Sequence, residues 1–544
     1  MKAIYIIFAV FLPLYVISSD IVNYKYAGLE KEETPVFSGS EQIYLHSLNI
    51  KISEREYPGF VYVKDREYIF KKAYLDVDDA VCDIPLVFLT DRTRNSKSLS
   101  IDGRDVQYTY NWMSLELSPV KYDPFFFPLS GFSSIILYSG GPEVESSDNS
   151  QIKFENLPVK VEEPSSSVFL SDGNFNTERY RFFAGFSMPH VNTSVCGERN
   201  LTSGFGRLPD TSYGSVTVSS IIYSDWLKLP LDFIYSGGDV DRFQLNKTSI
   251  GYRLFSLEPQ FNPNGSVSPF IKFGAIYSRN TAISKSYNIG SGLRFGNGEF
   301  FTLTPSFDIK SVDGEKTYNI LSEVLLRNEG RYLISSGSQL TFGDEKRFNI
   351  RLSGSLSIAK YLVPFASYTI DLWSQNNWKT NGLISGIRFY LQDRVQFQSF
   401  LKSSNISGSR LTSTGGIVDC KLIWGFNING SCFYNLKSQL DIPRYLISTD
   451  FGYEREFSGG IIPSVYFGVQ NVGGVTHSQD LVRNGNYNTK SYIDTSLKGA
   501  ITIRTIEIFS CFNNLFNRRI SIGGSIYPPE PRNYQFGIYW IMNN

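Results

Sequence analysis

The stretch Phe512–Met542 reads FNNLFNRRISIGGSIYPPEPRNYQFGIYWIM, and its last third decides the fold. Tyr534, Phe536, Ile538 and Trp540 fall on one parity, with Gln535 and Gly537 on the other. A period of two describes a strand with one apolar face and one polar face. In water the apolar face needs a second sheet to cover it. In an outer membrane it faces lipid, and the polar face lines a lumen.

The same alternation runs back through the chain. Ile350, Leu352, Leu356 and Ile358 alternate with Arg351, Ser353, Ser355 and Ser357, before a turn at Ala359-Lys360. Leu383, Ser385, Ile387, Phe389 and Leu391 alternate with Gly386, Arg388 and Gln392, and Val395 and Phe397 with Gln396 and Gln398. From about Gly185 onward no helical period stands out. Asn297-Gly298, Asp313-Gly314, Asn429-Gly430 and Asn484-Gly485 are primed-turn dipeptides that favour tight hairpins. Asn192 to Ser212 and Asn471 to Lys490 read as long loops at one end of the structure. Gly237-Gly238 and Gly473-Gly474 read as turns rather than phosphate cradles. The expected fold is all-β: a transmembrane antiparallel barrel, with a soluble sandwich or propeller as the alternative.

Composition narrows the function. Among 544 residues, 52 Lys and Arg balance 52 Asp and Glu, which argues against a nucleic-acid binder. Charged residues make up 19% and aromatics 15%. A mean hydropathy of −0.16 excludes a polytopic bundle of membrane helices. Five Cys and three His give no disulfide scaffold, and neither a metal site nor a cofactor is expected. Cys420 and Cys432 are close enough in sequence to face each other across a hairpin, so a disulfide there stays open. No nucleophile elbow or other enzyme constellation is found.

The amino terminus reads as an address. Met1-Lys2 precedes an apolar run from Ile4 to Ile17 and then Ser18-Ser19-Asp20, which suits a secretory signal peptide over residues 1–19. A single anchor helix is the alternative. Residues 20–42 form a polar periplasmic lead.

The closing stretch resembles the end of the TonB-dependent outer-membrane receptors. Asn514-Leu515-Phe516-Asn517 matches that family's turn, Pro529-Glu530-Pro531-Arg532 its second turn, and Tyr534, Phe536, Ile538 and Trp540 its last strand. The chain ends Ile541-Met542-Asn543-Asn544 where the family usually ends in Phe. An N-terminal series resembles the same family's plug in order. It comprises Asp76 to Ala80, Asp83-Ile84-Pro85-Leu86-Val87, Ser98 to Gly103, Phe127-Pro128-Leu129-Ser130, and Ser133 to Leu137 ending Ser139-Gly140-Gly141. Asp102 replaces the usual Arg, Leu86 the usual Gly, and Ser114-Leu115-Glu116-Leu117 the usual Asp-Gly.

The resemblance implies a plug-like domain over 43–165 inside an outer-membrane barrel over 166–544. Ser166 to Met542 accommodates about 22 strands at about 17 residues each, of which about 9–11 span, and equally fewer strands with longer connections. The implied function is energised uptake of a scarce nutrient, whether metal chelate, vitamin or glycan, across the bacterial outer membrane. The alternatives are a structural or adhesive barrel and a passive pore. The implied partners are outer-membrane lipid, a TonB-type periplasmic energy-coupling protein, the barrel assembly machinery and a small ligand. Leu48, Asn49, Ile50, Lys51 and Ile52 lie where the TonB box would pair as an added strand, or else form the first plug strand. Tyr108, Tyr110, Asn111 and Trp112 form a candidate apex loop of the plug that would contact the ligand, or else pack the plug against the wall.

Overall fold

The computed structural model describes residues 42–543 apart from 49, 72–73, 75–76, 85–86, 90–98, 102–103, 116–126, 145–149, 156–164, 204–210, 243–245, 280–282, 297–298, 344–345, 359–360, 374–378, 392–393, 407–408, 437–442, 478–486, 490 and 518–531. The leader, residues 20–41 of the lead, Asn49, Asn297-Gly298 and Asn484-Gly485 therefore lie outside the described residues.

From Ser165 to Asn543, 22 antiparallel strands pair neighbour to neighbour. The cylinder closes where Asn533–Asn543 meets Ser165–Gly173, with Trp540 opposite Val168 and Gly537 opposite Ser171. The last strand behaves as its alternation requires. Tyr534, Phe536, Ile538 and Trp540 point outward, 44–55% exposed, while Gln535 is 1% exposed on the lumen side. Gly537 leaves room for Phe509, which stacks on Phe169 at 5.2 Å. Ile350, Leu352, Leu383 and Ile387 likewise lie outward, and Arg351 and Arg388 inward. A closed barrel satisfies every wall backbone group, so its apolar exterior can face lipid. This is a membrane-spanning barrel of the outer-membrane kind.

Strands run ten to sixteen residues except at the seam, where Ser165–Gly173 has nine and Ile506–Asn513 eight. Both barrel termini sit at one rim. At the opposite rim the connections after Val472 and after Asn513 each run to 19 residues, which marks that rim as the outer one. The other nine outer connections have nine residues or fewer.

Several sequence expectations are corrected here. Val191–Thr202 is a strand, not a loop, because Asn192, Ser194, Glu198 and Asn200 are its buried lumen face. Lumen polarity looks like loop polarity in a sequence. Asn471 also belongs to a strand, Ile461–Val472. Asn429-Gly430 sits inside Phe426–Asn435, and the turn falls earlier, at Trp424 (φ 63°) and Gly425 (φ 86°). Asp313-Gly314 is a left-handed turn as expected, with φ 48° and 98°. Gly237-Gly238 lies within Leu227–Arg242, and a Cβ at Gly238 would collide with the backbone of Tyr213. Cys432 lies opposite Gly416 and Cys420 opposite Ile428. Four residues of strand separate the two cysteines by about 13 Å, beyond disulfide reach, and both are free. The Asn-Leu-Phe-Asn turn is real: Asn514 and Asn517 hold φ 48° and 49°, the left-handed region that asparagine tolerates.

A five-stranded sheet fills the lumen. Its order is Phe60–Asp65, Ser134–Ser139, Ser150–Glu155, Gln107–Tyr110 and Met113–Ser114, with Ser150–Glu155 parallel to Gln107–Tyr110. Phe127, Phe132 and Phe154 pack edge and face at 5.0–5.9 Å to form its core. Lys64, fully buried, donates to Tyr74 Oη (2.9 Å), Ala80 O (3.1 Å) and Asp83 Oδ2 (2.7 Å), which ties the helix Val77–Cys82 to the sheet. A separate hairpin, Gln42–Leu45 with Ile50–Ser53, shares no strand pairing with that sheet.

Candidate functional site

The site is the seam between plug and wall, and its parts are set by parity. A charged residue at an inward position of an alternating strand must meet water or a plug group. Arg388, in Lys379–Leu391, is completely buried. It donates to the carbonyls of Arg55 (3.2 Å), Tyr57 (2.7 Å) and Gly59. Arg327 Nη2 meets Glu56 Oε2 at 2.7 Å, and the Gly330 amide donates to Glu56 Oε1 at 2.9 Å. Ser355 Oγ donates to the Glu56 carbonyl at 2.5 Å, and Gln396 to Glu54 at 3.2 Å. Residues 54–59 are thus held by five strands or turns near the terminal rim. Burial raises Glu54 above its usual range, and Arg388 and Gln396 only partly offset it.

The hairpin before this clamp is pinned at its turn. Ser47 donates its amide (3.1 Å) and hydroxyl (2.8 Å) to Glu143 Oε1. Lys153 donates to Tyr44 O (2.8 Å) and meets Glu143 (3.3 Å) and Glu155 (3.0 Å). His46 Nδ1 stands 3.5 Å from Glu258 Oε2 on a terminal-rim connection. Lys272 Nζ reaches the His46 carbonyl at 3.1 Å and lies 5.7 Å from the Trp112 ring centre. Burial and then Lys153 push His46 below its usual range, against the pull of Glu258. Burial is the largest single influence and raises both Glu143 and Glu258, but Lys153, His46 and Ser47 together outweigh it at Glu143, and Lys272, His46 and Lys228 together at Glu258, so both carboxyls sit below the usual range.

A pH dependence follows. His46 is neutral in the folded seam and takes a proton more readily once the hairpin leaves it. Its folded value lies below the ordinary 6.5, so the stability it confers is present above that pH and is lost as pH falls below it. Glu143 and Glu258 act with the same sign only below their ordinary 4.5. Amide exchange over Ile43–Ser53, corrected for intrinsic rate, should therefore accelerate from about pH 7.5 to about pH 5.5, and His46→Phe should remove that acceleration. Equal pH dependence in the variant would refute the assignment.

Among the described residues no group of three or more His, Cys, Asp or Glu is placed to hold a metal ion. No family model matches this chain, and no curated protein matches it. Solved structures do. The ferripyoverdine receptor of the outer membrane of Pseudomonas aeruginosa, bound to ferripyoverdine, superposes with a TM-score of 0.74 at 13% identity, over 93% of this chain and 90% of that one. The ferric-catecholate import receptor Fiu of E. coli K12 gives 0.73 at 11%, over 90% and 98%. The siderophore receptor PirA of Acinetobacter baumannii gives 0.72 at 11%, over 89% and 98%. This is the TonB-dependent receptor fold.

Within that receptor fold the sequence candidates take definite places. Leu48, Ile50 and Ile52 are buried in the hairpin core beside Leu325 and Leu333 of the wall, and Lys51 is exposed. Tyr110 is buried in the plug core and Tyr108 lies 6.2 Å from the Phe154 ring. Asn111 (φ 50°) and Trp112 turn the chain at the wall rather than at an outward apex: Asn111 Nδ2 donates at 2.8 Å to Asp232, five residues from the terminal-rim end of Leu227–Arg242. Lys272 brings the two groups of candidates together. The clamp residues Arg388, Arg327 and Glu56 escape a reading of the sequence. The available signal is the lone arginine on the inward phase of GIRFYL, which the strand pattern exposes but does not pair.

Proposed function

We propose that this receptor-fold barrel imports a scarce ferric chelate across the bacterial outer membrane, with energy delivered through its N-terminal segment. The observation that carries the reading is a folded plug held in a closed 22-strand lumen by buried polar contacts. Such a barrel passes a large solute only when the plug moves. The ligands named for the similar structures, ferripyoverdine and ferric catecholate, support the substrate class. Tyr108, Tyr110, Asn111 and Trp112 are the proposed route by which an arriving ligand is felt, through Lys272, at the hairpin turn. Leu48, Asn49, Ile50, Lys51 and Ile52 are proposed to pair with a TonB-type periplasmic protein as an added strand. They must first leave Gln42–Leu45, so pairing and release of the hairpin are one event. The last strand is proposed as the element read by the barrel assembly machinery. The extent of the clamp at Glu54–Gly59 favours one second reading, a structural barrel with a fixed plug.

The test is uptake of iron-55 as ferripyoverdine and as a ferric catecholate by cells whose only such receptor is this chain. Accumulation should fall at least about tenfold when the proton gradient is collapsed. Uptake that survives collapse would point to a passive pore. No uptake of either chelate, together with unchanged protection of Ile43–Ser53, would favour the fixed plug.

A further inference from the structure

The outer wall carries an unexplained row of cations. Tyr235 lies opposite Arg253, Arg253 opposite Tyr277, and Tyr277 opposite Lys285, so the four residues form one row in register across the strands Leu227–Arg242, Asn246–Leu257, Val267–Arg279 and Ile283–Phe295. All four fall on the outward parity; Tyr235, Arg253 and Lys285 are exposed and Tyr277 is half-buried. The Arg253 guanidinium lies 5.8 Å from the Tyr235 ring centre and 5.6 Å from that of Tyr277. Arg279, also exposed, stands two residues beyond Tyr277, opposite Gly251 on one neighbouring strand.

Position and charge together define what fits. Val267–Arg279 ends two residues past Tyr277 and Ile283–Phe295 begins two before Lys285; Tyr235 and Arg253 lie seven residues from the outer ends of their strands, but the outward positions beyond them, Asp239 and Ser249, are exposed and polar, so the row follows the outer edge of the apolar band. Inward of the row the wall is apolar, with Phe255 and Phe273 rings 5.9 Å apart and Ile271 and Ile289 exposed. A lipid-facing Arg or Lys costs about 2–4 kcal/mol at the midplane and about 0–1 near the interface, so the row belongs at headgroup level. Arg253, Arg279 and Lys285 have no ion-pair partner among the described residues. The nearby carboxylate of Asp313 accepts from the Lys285 amide (2.8 Å) and from Ser284 Oγ (2.7 Å). Asp239, the exposed outward carboxylate of the first strand, lies four residues beyond Tyr235 and opposite Ser249.

We propose that this row binds the headgroup of a doubly phosphorylated glycolipid in the outer leaflet. The guanidinium of Arg253 offers a planar fork to one phosphate, steadied by its two tyrosine rings. Lys285 lies two strands away, about 10 Å, too far to share that phosphate and well placed for a second. Arg279 adds charge on the rim side, and the phenol hydroxyls can donate to sugar or phosphate oxygens. A singly charged phospholipid would satisfy only one of the two cation positions.

Delipidated mature protein in detergent, titrated with bis-phosphorylated lipid A, its monophosphoryl form and phosphatidylglycerol, tests the proposal by native mass spectrometry. The intact chain should retain the bis-phosphorylated lipid at least about tenfold better than either of the others. Arg253→Gln with Lys285→Gln should abolish that preference, and Arg331→Gln at the opposite rim should not change it. Heat-modifiable mobility reports that each variant is folded. A folded double variant that keeps the preference, or phosphatidylglycerol bound as tightly as the bis-phosphorylated lipid by the intact chain, would overturn the proposal.

Discussion

Replacing Arg388 by Met should loosen the plug without opening the barrel wall. The side chain is fully buried, and its guanidinium serves three plug carbonyls in succession, those of Arg55, Tyr57 and Gly59. Met fills similar volume but donates nothing, so three acceptors and the Glu54 carboxylate lose a cation together. Removing one side of a buried charged network costs about 3–5 kcal/mol. At about 1.4 kcal/mol per tenfold, local opening of residues 54–59 should rise at least about a hundredfold. Amide exchange and limited proteolysis of the folded protein in detergent read this directly. Protection of wall strands such as Arg347–Leu356 should not change, because their ladders do not pass through Arg388. Unchanged protection at 54–59 would show that the clamp is ornamental and that the hairpin core alone holds the plug.

Excising residues 42–155 should convert a closed barrel into an open one. The plug fills the lumen of a 22-strand cylinder, and barrels of 16–18 strands already leave an aqueous channel. Inward charges that now serve the plug, including Arg388, Arg351 and Asp232, would become hydrated rather than stranded. In planar bilayers the plug-less barrel should carry at least about ten times the ionic current of the intact chain at the same potential. Large steady currents from the intact chain would instead mean that the plug does not seal.

The wall was legible in the sequence because lipid enforces a strict rule. Outward positions within the hydrocarbon band must be apolar, so Tyr534, Phe536, Ile538 and Trp540, or Leu383 and Ile387, announce their parity alone. Closure was legible from the Asn-Leu-Phe-Asn turn and the final strand. The lumen face was not, because it obeys no single rule. Asn192, Ser194, Glu198 and Asn200 are polar since they line a lumen, and the same residue types would serve a loop. Asn429-Gly430 fits a turn by its own preferences, yet the ladder from Ser409–Lys421 to Phe426–Asn435 runs straight through it. The clamp was hidden for a further reason. Arg388 and Glu56 lie hundreds of residues apart in the chain, and nothing local to either announces the other. Of the site candidates, the hairpin and the Asn111-Trp112 turn were locatable by motif order, but the cation that links them, Lys272, was not.

The central claim is that the alternating wall places one parity in lipid and the other against the plug. A nitroxide scan of single cysteine variants from 534 to 540, in the protein reconstituted in bilayers, measures it most directly. Collision with oxygen, which concentrates in the acyl region, should peak at 534, 536, 538 and 540 and dip at 535, 537 and 539. Collision with a water-soluble nickel chelate should be low at 536, 538 and 540 and higher at 534, one residue inside the outer rim. An oscillation absent in oxygen, or nickel access on the outward parity equal to that of a soluble sheet, would contradict the barrel and everything built on it.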